Sequence, residues 1–88
     1  MANSKLGQVF LKDRNIIEKI INTSGVNNND VVIEIGCGEG WLSSAIATVA
    51  KKLYIFEIDD VYLQMTKERL DSLDNVEFSL GDVLKTGF

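Results

Sequence analysis

The chain has 88 residues, enough for one domain, and a domain of that size removes only about 60–65% of its unfolded surface from water. Apolar residues make up 45% of the chain and charged residues 25%, which is ordinary for a globular protein and argues against disorder. The net charge of −4 argues against unaided binding to nucleic acid, because phosphate binding needs clustered lysine and arginine.

The cysteine and histidine counts restrict the chemistry further. One cysteine cannot form an internal disulfide, so we expect a reducing, cytoplasmic environment. Without histidine the chain lacks the commonest general base and metal ligand, and we expect no metal site. No run reaches the roughly 18 apolar residues of a membrane span, and Met1 to Leu6 lead into no signal-peptide core. We therefore expect no membrane partner.

The first predicted element is a helix. Its isoleucines recur at helical spacing, at Ile16, Ile17, Ile20 and Ile21. Asp13 is a suitable N-cap for this helix, and Gly25 is a suitable C-terminal stop. A turn rich in asparagine, residues 27–30, separates the helix from the element that follows.

Two apolar runs lie on either side of a glycine-rich loop. Val31 to Ile35 is nearly continuous and predicts a strand buried on both faces. A second helix follows the loop, and its predicted apolar face contains Leu42, Ala45, Ile46 and Val49. Leu53 to Ile58 predicts the second strand.

A third helix and a third strand complete the pattern. Asp59 and Asp60 are both candidate N-caps for this helix. One side of the helix is predicted to contain Val61, Leu63, Thr66, Leu70 and Leu73. Val76 to Leu80 predicts a third strand, which runs into Gly81 and Asp82.

The order of elements predicts a single α/β domain over residues 1–88. Two right-handed crossovers give three parallel strands with flanking helices and with the first strand at one edge. In doubly wound sheets that first strand is central and has neighbours on both sides. We therefore expect either that the chain is the front half of a larger domain or that another chain covers the exposed edge, which includes self-association.

The segment from Glu34 to Gly40 carries most of the functional information. Gly36 ends the strand and permits a sharp turn, Gly38 leaves room for a ligand against the backbone, and Gly40 permits close helix packing. The spacing is G-x-G-x-G, whereas dinucleotide-binding folds show G-x-G-x-x-G. The loop alone is also compatible with a turn that binds no ligand. Other residues are therefore needed to distinguish a binding loop from such a turn.

Acidic residues follow the second and third strands. Glu57 comes about 20 residues after the loop, where nucleotide-binding folds place the carboxylate that binds ribose hydroxyls. Asp82 closes the third strand at the same rim, where it can accept a hydrogen bond from an exocyclic amine such as that of adenine. A turn or cap role is the alternative for Asp82. With the loop, these residues predict a nucleoside pocket at three successive strand ends.

Glu34, just before the loop, indicates which kind of nucleoside cofactor fits. A carboxylate here repels an anionic pyrophosphate but suits a cationic ammonium or sulfonium group. S-adenosylmethionine carries both of these cationic groups, so it is the cofactor that we expect. An internal ion pair is the alternative role for Glu34.

These motifs resemble those of the ribosomal RNA adenine N6,N6-dimethyltransferases, the KsgA-like family. Residues 7–13 are similar to its N-terminal G-Q-x-F-L-x-D signature, residues 34–40 to its glycine motif, residues 56–59 to its acidic motif and residues 81–83 to its adenine-binding motif. The resemblance implies the N-terminal half of a Rossmann-like S-adenosylmethionine-dependent methyltransferase fold. It also implies the transfer of two methyl groups to N6 of adjacent adenosines in small-subunit rRNA.

The resemblance also implies the cofactor contacts. Val9 and Leu11 would flank S-adenosylmethionine, and Gly36 would lie under its methionine end. Glu57 would bind the ribose and Asp82 the adenine. Val9 stands where family members often have Asn or His, so only a backbone contact transfers to it. Val9 and Leu11 equally suit a role in anchoring the first helix.

Two neighbouring residues are expected to be structural. Cys37 replaces the frequent proline of the family, and we expect it to be a small apolar turn residue. Trp41 is expected to pack against a helix rather than to stack on a base.

The family's Asn-Leu-Pro-aromatic motif, which holds the target amine, is absent, because the chain contains no proline. We therefore assign no catalytic residue and expect the 88 residues alone to be inactive. Contacts with rRNA and the small ribosomal subunit are expected from parts beyond residue 88. The alternatives are a fragment of an antibiotic-resistance 23S rRNA adenine methylase and a non-catalytic interaction module built on half of the methyltransferase fold. A short-chain oxidoreductase fits the loop spacing poorly.

Overall fold

The structure is a computed structural model and describes residues 13–82 and residue 84. Within these residues the helices and strands alternate as predicted. They are α1 (Arg14–Ser24), β1 (Val31–Ile35), α2 (Trp41–Val49), β2 (Lys52–Glu57), α3 (Asp60–Arg69) and β3 (Val76–Leu80). No helix among them is both long and apolar enough to span a bilayer.

Short polar side chains and glycine define the helix ends. The Asp13 carboxylate accepts hydrogen bonds from two backbone N–H groups of the first turn of α1, at 2.9 and 3.3 Å, and Gly25 ends that helix with a left-handed φ of 73°. Asp59 caps α3 in the same way, with its shorter bond at 2.8 Å, and Asp60 lies in the first turn. The predicted ends of α1 are thus confirmed, and of the two candidate caps for α3 the structure uses Asp59.

The strands form one parallel sheet in the order β1-β2-β3, as predicted. Leu53 of β2 pairs with Val32 of β1 on one side and with Val76 of β3 on the other. Because paired residues point to the same face of a sheet, alternate positions on all three strands face α2 and α3 together. β1 therefore lies at an edge, and β2 lies in the centre.

The hydrophobic core lies between β2 and the two helices that cover it. Leu53 and Ile55 of β2 have no exposed surface. They belong to one cluster of buried side chains with Ala47 of α2, with Leu63 of α3 and with Leu70, the residue that follows α3. Full burial of an aliphatic side chain of this size is worth about 1.5–3 kcal/mol, so this layer provides much of the stability of the described structure.

Helix α2 presents a different face to the sheet from the one predicted. Its buried residues are Ser43 and Ala47, whose small side chains let the helix lie close to the strands. The predicted face is only half-buried, at Leu42, Ala45, Ile46 and Val49. Part of it is directed at α1, because Ala45 and Val49 line a cavity together with Ile17 and Ile21 of that helix. A single apolar stripe could not distinguish the sheet from α1 as its partner.

The prediction that β1 is buried on both faces is wrong for the described residues. Val31, Ile33 and Ile35 keep 58%, 43% and 68% of their surface exposed, whereas Val32 packs against the core. The second strand has the predicted length but lies one residue earlier, because it begins at Lys52, ends at Glu57 and leaves Ile58 exposed. The exposure of β1 arises because the described helices cover only one face of the sheet.

Candidate functional site

The carboxyl ends of the three strands meet in one cleft. The backbone N–H of Gly36 donates to the carbonyl of Phe56 at 2.8 Å, and that of Gly81 donates to the carbonyl of Glu57 at 2.9 Å, so each strand end is held to its neighbour. The cleft is lined by Ile35, Gly36, Phe56, Glu57, Ile58, Gly81 and Asp82. The three predicted site residues within the described chain, Gly36, Glu57 and Asp82, are thus brought together. The remaining two, Val9 and Leu11, lie outside the described residues.

The glycine loop, residues 36–40, connects β1 to α2 and lines a second cleft. Its three glycines all have positive φ, of 82°, 55° and 89° in chain order. A Cβ added at Gly40 would lie 2.9 Å from Oγ1 of Thr66 and 3.1 Å from its Cα. Gly40 therefore permits close packing of the loop against α3, whereas the sequence predicted close packing of the next helix, α2.

Glu57 is held in a fixed orientation by backbone groups. Its Oε1 accepts a hydrogen bond from the N–H of Cys37 at 2.9 Å, and its Oε2 accepts one from the N–H of Asp59 at 3.0 Å. The residue is only 7% exposed. Each carboxylate oxygen has a second lone pair, so both remain able to accept a ligand hydroxyl. The bond to Cys37 also ties the end of β2 to the glycine loop.

Cys37 is buried in the loop, as expected of a small turn residue. Its Sγ lies 3.1 Å from Oγ1 of Thr66 and 3.5 Å from Oε1 of Glu57. Burial, which disfavours the thiolate, raises the pKa of the Cys37 thiol from 9.0 to about 11. The thiol is therefore protonated at neutral pH.

Glu34 points from β1 to α2, where it accepts a hydrogen bond from the hydroxyl of Ser43. Removal from water raises the pKa of the Glu34 carboxyl, the bond from Ser43 lowers it, and the nearby charge of Glu57 raises it. The alternative role of Glu34, an internal ion pair, is not seen within the described residues, where its partner is a hydroxyl group. Glu34 lines the cleft of the glycine loop, so it remains close to any group bound there.

Asp82 makes the turn contact that the sequence offered as its alternative role. Its Oδ1 accepts a hydrogen bond from the backbone N–H of Leu84 at 2.9 Å, which is a turn contact. The residue is half-buried and lines the cleft of the strand ends. The turn therefore fixes the Asp82 side chain at the rim of that cleft.

Sequence reasoning missed the contacts that α3 makes with the loop. Oγ1 of Thr66 lies 3.1 Å from the carbonyl oxygen of Gly38, and Nε of Arg69 donates to the carbonyl of Glu39 at 2.8 Å. The Arg69 guanidinium also lies 3.6 Å from the centre of the Trp41 ring. Trp41 thus packs against a helix, as predicted. The available signal was the spacing of Thr66 and Arg69, three residues apart on one helix face.

Comparison with known proteins identifies the family. The profile of a family described as ribosomal RNA adenine dimethylase matches residues 1–88. The chain belongs to this family. A probable ribosomal RNA small subunit methyltransferase A of Methanococcus maripaludis (strain S2) is 43% identical over 83 residues, which are 94% of this chain and 31% of that protein. The chain thus spans about a third of the length of this relative.

Solved structures of rRNA methyltransferases share the fold of this family member. A dimethyladenosine transferase from Plasmodium falciparum superposes with a TM-score of 0.76 at 35% identity, over 88% of this chain and 29% of that one. The 23S rRNA methyltransferase ErmE gives the same TM-score at 32% identity, over 88% of this chain and 32% of that one. The predicted fold class, the N-terminal half of a Rossmann-like methyltransferase with three parallel strands and flanking helices, is confirmed.

Proposed function

We propose that residues 1–88 form a single S-adenosylmethionine-binding unit of an rRNA adenine dimethyltransferase that acts on small-subunit rRNA. The observation that carries this proposal is the convergence of Gly36, Glu57 and Asp82 on one cleft in a chain of the ribosomal RNA adenine dimethylase family. A ribosomal substrate also favours a cytoplasmic location.

The residues of the cleft fit the parts of the cofactor. Glu57, whose carboxylate is already oriented by two backbone N–H groups, would accept the ribose hydroxyls. Asp82 would accept the adenine amine, and the open backbone at Gly36 would support the methionine end. Glu34 would favour the cationic sulfonium, because opposite charges attract strongly in a partly dry site. When bound, S-adenosylmethionine supplies the methyl group for transfer.

Transfer also requires a group that orients the adenine N6 amine, and the chain supplies none that we identify. The family's Asn-Leu-Pro-aromatic motif is absent from a sequence without proline. Orientation of the two reactants provides much of the rate in such reactions. We therefore propose that these 88 residues bind cofactor without catalysing methylation and that rRNA contacts come from other parts of the protein.

Isothermal titration calorimetry with S-adenosylhomocysteine tests the proposal. The wild-type chain is expected to bind, and Glu57→Ala is expected to weaken binding about tenfold or more, because it removes a charged acceptor. Glu77→Ala is the matched control, since Glu77 is an exposed acid on β3. Circular dichroism would establish that each sample is folded. A folded wild-type chain without affinity, or a Glu57→Ala variant with unchanged affinity, would contradict the proposal.

A second candidate function is modification of 23S rRNA, which the equal TM-score of ErmE favours. Both candidates use the same cofactor cleft, so cofactor binding does not separate them. Methylation assays with the longest protein that contains these residues would do so. Methyl transfer to isolated large-subunit rRNA, without transfer to small-subunit rRNA, would establish the second candidate.

The exposed edge of β1 is the other surface for which we propose a partner. Val31, Ile33 and Ile35 are apolar and exposed beside this edge, and proteins normally cover such an edge. We propose that further chain of the same protein covers it, and that without such chain two copies associate here. Light scattering of the 88-residue protein is then expected to detect association that increases with concentration. A stable monomer at high concentration would contradict this part. Association without any affinity for S-adenosylhomocysteine would instead favour the interaction module.

A further inference from the structure

Two side chains of α3, one helical turn apart, contact consecutive carbonyl groups of the glycine loop. Thr66 is fully buried, and its Oγ1 lies 3.1 Å from the carbonyl oxygen of Gly38. Arg69 is half-buried, and its Nε donates to the carbonyl of Glu39 at 2.8 Å. Neither side chain lines the cleft of the strand ends or that of the glycine loop. Their contacts with the site pass through the loop backbone.

The Thr66 hydroxyl has one proton and two neighbours in the loop. It lies 3.1 Å from the Gly38 carbonyl oxygen and also 3.1 Å from Sγ of Cys37. The carbonyl oxygen is a stronger acceptor than the sulfur. The Thr66 hydroxyl therefore donates its hydrogen bond to Gly38, and its contact with Sγ of Cys37 is weak. The close approach at Gly40 places the loop backbone directly against Thr66. Because Gly40 has no side chain, the loop lies close enough to α3 for the Thr66 hydroxyl to reach the carbonyl of Gly38.

Arg69 holds the loop in a second way. While Nε donates to Glu39, the guanidinium lies over the ring of Trp41, 3.6 Å from its centre. A planar guanidinium can make both contacts at once, which the ammonium group of lysine cannot. Trp41 is the first residue of α2, so Arg69 connects α3 to both the loop and the next helix.

These contacts determine the direction of the loop peptides. In a planar trans peptide the C=O and the following N–H point in opposite directions. With the carbonyls of Gly38 and Glu39 held at α3, their oxygens are kept away from a ligand on the other side of the loop. Glycine loses more conformational freedom on ordering than any other residue, so a loop with three glycines is costly to order at the moment of binding.

We propose that Thr66 and Arg69 are positioning residues that preorganise the glycine loop for the adenosyl cofactor. This inference rests on the proposed function of the cleft. It assigns part of the cofactor affinity to two side chains that need not touch the cofactor. Loss of either contact lets the loop sample other conformations and lowers affinity without removing a ligand contact.

A series at Thr66 separates affinity from stability. Thr66→Val keeps the shape and removes the hydroxyl, and we expect it to weaken S-adenosylhomocysteine binding about fivefold. Thr66→Ser keeps the hydroxyl, and we expect near wild-type affinity although the lost methyl group lowers the melting temperature. Thr48→Val is the matched control, because within the described residues the Thr48 hydroxyl donates to the Ser44 carbonyl of its own helix, at 2.8 Å, and not to the loop. A purely structural role predicts equal affinities for all folded variants.

Arg69→Lys tests the second contact with an independent readout. The chain has one tryptophan, so the fluorescence of Trp41 reports directly on the surface that Arg69 covers. We expect Arg69→Lys to weaken S-adenosylhomocysteine binding about fivefold and to increase quenching of Trp41 by acrylamide in the free protein. Lys19→Arg is the control for the exchange of basic side chains, because Lys19 is exposed on α1 and does not line the cavity that Arg69 shares with Trp41.

The outcomes distinguish this inference from the proposed function. Wild-type binding with weaker binding by Thr66→Val and Arg69→Lys supports the inference. Wild-type binding with unchanged affinity in both variants overturns it and leaves the proposed function intact. A folded wild-type chain that does not bind overturns both. If Thr66→Val does not fold, Arg69→Lys decides the outcome alone.

Discussion

Helices α2 and α3 cover one face of the sheet, whereas apolar side chains on the β1 side of the other face remain exposed. On the covered face the side chains of Leu53 and Ile55 are completely buried. On the other face Ile33 and Ile35 also belong to an apolar strand, and yet 43% and 68% of their surface is exposed. Both faces carry apolar side chains, and they differ mainly in whether helices pack against them.

The covered side of the sheet supports the cleft at the strand ends, and the open face does so much less. The cleft at the strand ends depends on the covered side, because its Glu57 is bonded to the glycine loop and that loop packs against Thr66 of α3. We therefore expect the cofactor cleft to depend on α2 and α3 and to depend little on whatever covers the open face.

The largest expected effect compares one isoleucine from each face. Ile55→Ala on the covered face is expected to lower the free energy of unfolding by about 4 kcal/mol, because it leaves a cavity in the core. Ile33→Ala on the open face, where the side chain is 43% exposed, is expected to lower it by less than about 1 kcal/mol. Urea denaturation followed by circular dichroism measures both. Equal losses would show that the open face is buried in solution.

An intermediate effect is expected at the contact between the covered side and the loop. Gly40→Ala is expected to cost about 3 kcal/mol, because its φ of 89° is unfavourable for alanine and its Cβ would collide with Thr66. Gly25→Ala is the matched control, since it has a φ of 73° and no neighbour within 4 Å. We expect it to cost only about 1 kcal/mol, the strain of the left-handed conformation alone. Thermal unfolding of both variants gives the comparison, and similar losses would argue against tight packing of the loop on α3.

The smallest effect concerns the buried acid of the covered face. Because burial raises the pKa of Glu34 in the folded state, its ionisation opposes folding above the ordinary value of 4.5. Glu34→Gln is therefore expected to raise the melting temperature at neutral pH, and this gain is expected to disappear as the pH falls below 4.5, where the carboxyl is protonated in both states. Glu77→Gln, on the exposed face, controls for the exchange of acid for amide. A gain for Glu34→Gln that does not change with pH would contradict the account.

Much of the fold could be predicted because local signals specify it. The caps Asp13 and Asp59, the stop at Gly25 and the apolar strands are all readable in the sequence, and parallel order follows from the helix between each pair of strands. The burial of β1 could not be predicted in the same way. The apolar side chains of a strand show that it can be buried on both faces. How much of their surface is buried depends on the elements that pack against the strand.

The site also has a part that the sequence predicts and a part that it does not. Strand ends are predictable from position, so Gly36, Glu57 and Asp82 were found from sequence. The bond from the Cys37 N–H to Glu57 and the contacts of Thr66 and Arg69 were missed, because they join residues at least 20 positions apart and depend on how α3 packs on the loop. The spacing of Thr66 and Arg69 places both on one face of α3, but spacing alone does not show that the loop packs against that face.

The most direct test of the central claim maps S-adenosylhomocysteine onto the backbone amides of the protein by NMR. The account predicts that titration shifts the amide signals of Gly36, Glu57 and Asp82 together, with one dissociation constant, and leaves that of Ile33 on the open face unchanged. Shifts confined to a single strand end, or centred on the open face, would contradict the claim that the three strand ends form one adenosyl pocket.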